Sequence, residues 1–180
     1  MKKIMFMAIS ILLLAACKKE VTSDDANQAN ALSDNSEMTA KGGKITLPIF
    51  DKLESDPDPN PQTECGGALT YGNMTYLGKV HGISVNKTCT YSADGTELAL
   101  TSADTTYGAN GNQLWTNGDI VIHFPTDGST VATITGGSTI VGGTGRYAGA
   151  TGFFIYEDMV YDLVTGHESH TAHGKITLTR

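Results

Sequence analysis

Positive charge is scarce in this chain of 180 residues, which carries 12 lysines and arginines against 19 acidic residues. The lysines are scattered, and a formal net charge of -7 excludes the basic stripe that binding to nucleic acid requires. The glycines lack a period of three and no heptad is sustained, which excludes collagen and coiled coils. A hydrophobic content of 39% is ordinary for one globular domain with a single core.

The chain also lacks an apolar run long enough for a membrane-spanning helix, which needs about 20 residues. Its most apolar run, residues 4–14, follows Lys2 and Lys3 and ends in Ala15-Ala16-Cys17. This pattern predicts a bacterial lipoprotein signal peptide over residues 1–16, with small residues before a cysteine that accepts the lipid. An ordinary signal peptide followed by a chance cysteine is the alternative.

Lipid on Cys17, with acyl chains such as palmitate, would anchor the mature protein in the membrane of the bacterial cell envelope. The residues that follow, Lys18 and Lys19, lack the aspartate that marks inner-membrane retention in some Gram-negative bacteria. We therefore expect the outer membrane, on its periplasmic or surface face.

Cysteine is almost as scarce as tryptophan, with three residues in the whole chain. Once Cys17 carries lipid, Cys65 and Cys89 remain as an even pair in an oxidising compartment. We predict a disulfide between them, which would stabilise the fold by roughly 3 to 4 kcal/mol. Neither belongs to a Cys-x-x-Cys motif, so free thiols that serve catalysis or a metal are the less favoured alternative.

A change of composition separates the lipid anchor from the rest of the chain. Residues 17–43 have almost no aromatic or β-branched side chains after the lipidated cysteine, which predicts a flexible tether. Residues 44–180 are predicted to form a single β-barrel domain, because Asn-Gly and Asp-Gly pairs there separate runs rich in threonine, valine and isoleucine. The predicted strands are 44–50, 68–77, 83–92, 96–104, 114–124, 130–141, 151–162 and 168–178. Eight antiparallel strands without a helix favour a closed barrel, which removes exposed sheet edges.

A glycine-rich segment at residues 141–152 reads VGGTGRYAGATG. It resembles the Gly-Gly-Thr-Gly-Arg-(Phe/Tyr)-x-Gly-Ala-x-Gly segment of the allene oxide cyclase and dirigent superfamily. MTYLGK at 74–79 and SHTAHGKI at 169–176 are similar to strands of bacterial relatives. The likeness covers residues 66–180 and implies an eight-stranded, calycin-like barrel.

The same resemblance implies a hydrophobic substrate held inside the barrel. Plant allene oxide cyclases steer the closure of an epoxide, and dirigent proteins guide radical coupling. The Glu-x-Asn pair of the cyclases is missing from the first strand, where IFDKL stands at 49–53. Bacterial lipoproteins with the glycine motif resemble uncharacterised members of the superfamily, and a shared fold alone does not transfer a function.

Several side chains are candidates for contact with a ligand in the barrel or at its mouth. Ile120, Ile122 and Phe124 alternate with Val121 and His123, so the first three share one face. The candidate ligand-binding residues are Phe124, Arg146, Tyr147, Phe154, Tyr156 and Glu157.

Two of these candidates have a competing interpretation. Arg146 would either bind an anionic ligand at the barrel mouth or hydrogen-bond the carbonyl groups of a chain corner. Glu157 and Asp158 interrupt an apolar strand, so either one carboxylate points inward as an acid or base, or a bulge turns both outward. The corner and the bulge are the favoured interpretations.

The histidines at 167, 170 and 173 recur every third residue, which on a strand distributes them between the two faces. We therefore predict no metal site, and no motif in the chain indicates a catalytic residue or a cofactor.

Three functions remain compatible with these patterns. The barrel binds a small apolar ligand, it is an interaction module that binds an envelope partner, or it is a cyclase-like or isomerase-like enzyme acting on a hydrophobic substrate. The two non-catalytic functions are favoured over the enzyme. The sequence is compatible with a monomer and with a homotrimer.

Overall fold

The computed structural model describes residues 43–179. The predicted signal peptide, Cys17 and all of the predicted tether except Gly43 lie outside the described residues. Within the described part, no helix is long and apolar enough to cross a membrane.

Eight strands pair antiparallel in chain order, and the last pairs with the first, so that the sheet closes into a barrel. A single 3-10 turn, Gly145–Tyr147, lies between the sixth and seventh strands. The strands are β1 (Lys44–Pro57), β2 (Gly67–Met74), β3 (Gly78–Tyr91), β4 (Glu97–Gly108), β5 (Gln113–His123), β6 (Val131–Gly143), β7 (Thr151–Asp162) and β8 (Glu168–Thr179). The predicted all-β, eight-stranded antiparallel barrel is confirmed, and residues 44–179 contain every strand of it.

The first strand is longer than the seven residues predicted for it. Beyond Phe50 it continues for seven more, and the inward side chains of Asp51, Leu53 and Ser55 are buried while Lys52 and Glu54 are exposed. Because two of the three inward residues are polar, hydrophobic alternation does not reveal this half of the strand. The extension matters for the site, since it places a carboxyl group inside the barrel.

The other boundaries differ by a few residues. The second strand ends at Met74 rather than 77, because Tyr76 turns the chain with a φ of 68°. The third begins at Gly78 and the fourth continues to Gly108, which lengthens their pairing.

The predicted disulfide is present. Cys65, in the loop before β2, is bonded to Cys89 near the end of β3, with their Cα atoms 5.6 Å apart. The bond ties this loop to the barrel wall.

The two ends of the barrel are built differently. The last residues of β1, β3, β5 and β7 and the first of β2, β4, β6 and β8 meet at one end, called the mouth here; the opposite end is called the base. At the base, apolar side chains pack together inside the barrel, and the largest fully buried ones are Ile49, Leu114, Ile140, Tyr147 and Ile176. A second apolar cluster, towards the mouth, consists of Leu100, Ile122, Ala132, Ile134 and Met159.

Candidate functional site

A cavity of about 520 Å³ lies inside the barrel, within the range of small-molecule sites. Loop residues of the mouth, among them Asp58, Cys65 and Leu163, contribute to its lining. The cavity therefore extends from the mouth inward, and the packed base closes it below.

One wall of the cavity is apolar and aromatic. Phe124, Phe154 and Tyr156, three of the candidate ligand-binding residues, line it. The predicted alternation on β5 is also observed, since Ile120 and Ile122 line the cavity with Phe124. Contact of these side chains with a ligand stays a prediction, and the structure shows that they lie where such contact is possible.

A second part of the lining is polar, and its centre is His170 on β8. The His170 side chain is only 5% exposed, and Asp51 on β1 is 3% exposed. Nε2 of His170 lies 3.7 Å from Oδ1 of Asp51, and Nδ1 lies 3.5 Å from Oε1 of Glu168. The register of β1 and β8 produces this grouping, because Leu53 pairs with His170 and the inward Asp51 lies two residues away.

Asp51 and His170 have polar atoms that lack a hydrogen-bond partner among the described residues. Asp51 Oδ1 and both ring nitrogens of His170 are buried and form no hydrogen bond there. Burial raises the pKa of Asp51 to about 6, although the charge of His170 and the backbone N–H of Ala172 lower it. Asp51 is therefore a carboxyl group that changes charge between mildly acidic and neutral pH.

Asp104 on β4 forms a separate polar group in the cavity. Its carboxylate accepts hydrogen bonds from Ser84 Oγ on β3 at 2.6 Å and from Thr116 Oγ1 on β5 at 3.1 Å. These three residues are directly opposite one another in the strand registers, so the sheet itself brings them together. Burial raises the pKa of Asp104, and the hydroxyl groups of Ser84, Ser102 and Thr116 act in the opposite direction.

Tyr156 on β7 connects the two polar groups. Its ring packs edge-on against His170, with the ring centres 4.9 Å apart. Burial raises the pKa of the Tyr156 hydroxyl, and the negative charges of Asp104, Asp51 and Glu168 raise it further. The three carboxyl groups thus face the same region of the cavity.

Four residues of the cavity are not among the candidates predicted from the sequence: Asp51, Asp104, Glu168 and His170. A signal for two of them is period-two spacing of polar residues, since Asp51 and Ser55 share one face of β1, and Ser102, Asp104 and Thr106 share one face of β4. A search for alternating hydrophobic residues does not detect inward positions that carry polar side chains.

Arg146 and Tyr147 were predicted near a ligand, but the structure places them at the base, away from the described cavity lining. The Tyr147 hydroxyl donates to the Tyr76 carbonyl oxygen at 2.9 Å, and the Arg146 guanidinium donates to the same carbonyl and to the Tyr147 hydroxyl oxygen. The glycine motif forms the corner that holds them there. Arg146 therefore stabilises a turn, which is the favoured one of its two interpretations.

Glu157 lies on the outer wall. The pairing of β7 with β8 shifts between Glu157 and Val160, and Asp158 adopts a φ of 50°. Glu157 follows the inward Tyr156 and points outward by strand alternation, and its Oε1 lies 3.1 Å from Nδ1 of His173. The predicted bulge turns the next residue, Asp158, outward as well and returns Met159 to the interior, so neither carboxylate lines the cavity.

His170 and His173 lie on opposite faces of β8, whereas His167 lies in the loop that precedes the strand. His170 points inward, whereas Nδ1 of His167 pairs with Asp56 at 2.9 Å on the outer surface and His173 pairs with Glu157. The His167 pair raises the pKa of that histidine and lowers the pKa of Asp56. Among residues 43–179, no group of three side chains could hold a metal ion.

Comparisons with known proteins show only a distant likeness to solved structures. No family model and no curated protein matches the chain. Among solved structures, the pterocarpan synthase dirigent protein GePTS1 is similar over 78% of this chain and 94% of that chain, with 15% identity and a TM-score of 0.42. A likeness this distant assigns neither a family nor a function to the chain.

Proposed function

We propose that this protein is a bacterial envelope lipoprotein whose barrel binds a small, mainly apolar ligand without transforming it. The observation that carries the proposal is the cavity of about 520 Å³, which is closed at the base and has an aromatic wall. An interior filled by side chains would instead have favoured an interaction module that binds envelope partners through its outer surface.

The anchor is the second part of the proposal. Lipid on Cys17 would hold the barrel at the outer membrane, and the segment up to Gly43 would separate it from the bilayer. Labelling of the expressed protein with radioactive palmitate tests this part, with Cys17→Ser as the variant that should lose both the label and membrane association. A Cys17→Ser protein that still carries label would contradict it.

Native mass spectrometry tests the ligand. The protein would be purified from its own host, and any molecule that co-purifies would be released and identified. We expect one apolar molecule per barrel, and the same spectrum reports whether the protein is a monomer or a homotrimer. A barrel that stays empty after incubation with a lipid extract of the host would contradict the carrier and favour the interaction module.

A cyclase-like or isomerase-like enzyme is the second candidate, and the arrangement of Asp51 and His170 favours it. A buried carboxyl group with a pKa of about 6 beside an imidazole is suited to proton transfer. Incubation of the co-purified molecule with the protein in D₂O tests this function. Deuterium at carbon, absent with Asp51→Asn, would support an enzyme, whereas an unchanged molecule would support the carrier.

A further inference from the structure

The described lining of the cavity is unbalanced in charge. It contains four carboxyl side chains and one histidine, whereas no lysine or arginine of residues 43–179 takes part in it. The ionisable lining residues other than tyrosine are Asp51, Asp58, Asp104, Glu168 and His170. A fatty acid or a phosphorylated lipid would bring another negative charge among these carboxylates, so the field of the cavity opposes an anionic ligand.

Asp51 adds a specific requirement to this general preference. Its side chain is 3% exposed, its Oδ1 accepts no hydrogen bond from the described residues, and the nearest histidine nitrogen lies 3.7 Å away. A buried carboxylate oxygen without a donor destabilises the protein that contains it. Rotation of the Asp51 side chain would bring this oxygen to the cavity, where a ligand that donates an N–H would remove that penalty and a hydrocarbon chain would not.

The aromatic side chains of the lining favour the same kind of ligand. Tyr156 and Phe154 line the cavity, and the Tyr156 ring packs edge-on against His170. The faces of aromatic rings attract cations, and carboxylates form strong charge-assisted hydrogen bonds with ammonium groups. Rings and carboxylates together are a lining suited to an ammonium group on an apolar body.

We propose that the cavity selects an amphiphilic amine, an alkyl- or arylammonium cation, and binds its ammonium group at Asp51. The apolar part of the ligand lies against the wall of Ile120, Ile122 and Phe124, towards the mouth. This inference rests on the proposed ligand-binding function and names the chemical class of the ligand.

Three probes with the same chain and different head groups test the selection: decylamine, decanol and decanoate. Each is titrated at pH 7 into residues 18–180, which include the complete barrel, and binding is followed by calorimetry. We expect decylamine to bind at least about tenfold more tightly than decanol, because a hydrogen bond to a charged group contributes 1.5 kcal/mol or more. Decanoate should bind more weakly than decanol.

Variants of the carboxyl groups test the place of binding. Asp51→Asn should lose most of the preference for the amine and keep its affinity for decanol, whereas Glu157→Gln removes a carboxylate from the outer wall and should change neither. Asp104→Asn is the second cavity variant, with a smaller expected loss, and thermal unfolding checks that each variant is folded. The comparison of the three probes on the unmodified protein needs no variant.

The outcomes separate this inference from the function on which it rests. Equal or tighter binding of decanol or decanoate would overturn the amine selection and leave the carrier standing. Failure of all three probes to bind would overturn both. An amine preference that survives in Asp51→Asn would overturn the assignment to Asp51.

Discussion

The base and the mouth of this barrel use the same strands for opposite purposes. At the base, Ile49, Leu114, Tyr147 and Ile176 are fully buried. Between this packing and the mouth, inward positions of the strands carry Asp51, Asp104, Thr116 and His170 around a cavity. Along the barrel axis the inward side chains therefore change from apolar at the base to a polar belt, and then to a second apolar cluster towards the mouth that also lines the cavity. The residues that stabilise the fold and those that line the cavity thus lie at different levels of the barrel. Mutations at the two levels should therefore affect stability and ligand binding separately.

The largest effect is expected from the base. Ile176→Ala would leave a void among fully buried side chains and should lower the free energy of unfolding by about 2 to 5 kcal/mol. Leu98→Ala at the cavity wall is the matched variant, and its effect should be clearly smaller because that side chain is only partly buried. Urea unfolding measures both. Equal decreases in the free energy of unfolding would show that the base does not stabilise the fold more than the cavity wall does.

The disulfide is the stabilising device of the mouth. Replacement of Cys65 and Cys89 by serine frees a loop with a sequence separation of 24 residues and should cost about 3 kcal/mol. We expect a lower thermal midpoint without loss of the β-sheet signal in circular dichroism. A double variant as stable as the oxidised parent would show that the packed base alone determines the stability of the barrel.

Asp51 should make stability depend on pH. Its folded pKa of about 6 is above the value of about 3.8 expected for an unfolded aspartate, so the folded state binds the proton more tightly. The stability that this proton provides is complete below about pH 4 and is lost as the pH rises through 6. As the pH rises from 4 to 7, the free energy of unfolding of Asp51→Asn should therefore increase relative to that of the parent protein, by on the order of 2 kcal/mol at pH 7.

Denaturant unfolding of both proteins at pH 4, 6 and 7.5 measures this gain. Lys52→Gln, on the exposed face of the same strand, is the control and should show no such window. A parent protein that gains stability relative to Asp51→Asn between pH 4 and 7 would reverse the assigned sign.

The smallest effect is expected at the glycine corner. Tyr147→Phe keeps the buried ring and removes the hydroxyl that donates to Tyr76, which should cost about 1 kcal/mol. Binding in the cavity should be unaffected, because the corner lies at the base. A changed ligand affinity, measured by the same titrations, would show that the two ends are coupled.

Much of the fold was accessible from local patterns. The alternation at Ile120, Ile122 and Phe124 and the turn pairs between strands predicted the barrel, and the parity of Cys65 and Cys89 predicted the disulfide. The site was less accessible. Phe154 and Tyr156 were among the predicted ligand-binding residues and line the cavity, whereas Asp51 was missed because its strand was predicted to end at Phe50.

Arg146 and Glu157 were predicted to contact a ligand, but they do not line the cavity. A charged side chain in a glycine motif or an apolar strand stands out in the sequence, but its direction depends on the turn or bulge that carries it. The Arg146 guanidinium donates to the carbonyl group of Tyr76 at the corner, and strand alternation with the inward Tyr156 directs Glu157 to solvent.

The sequence by itself determined the number of strands, their antiparallel order and the bonding of two cysteines, since period-two alternation, turn residues and cysteine parity are local signals. Only the tertiary structure decided which polar residues share the cavity. Asp51, Asp104 and His170 are far apart in the chain, and the closure of β1 against β8 together with the strand registers brings them to one space. Burial in that space then changes the pKa of Asp51 and Asp104, a property that no residue has before the barrel closes around it.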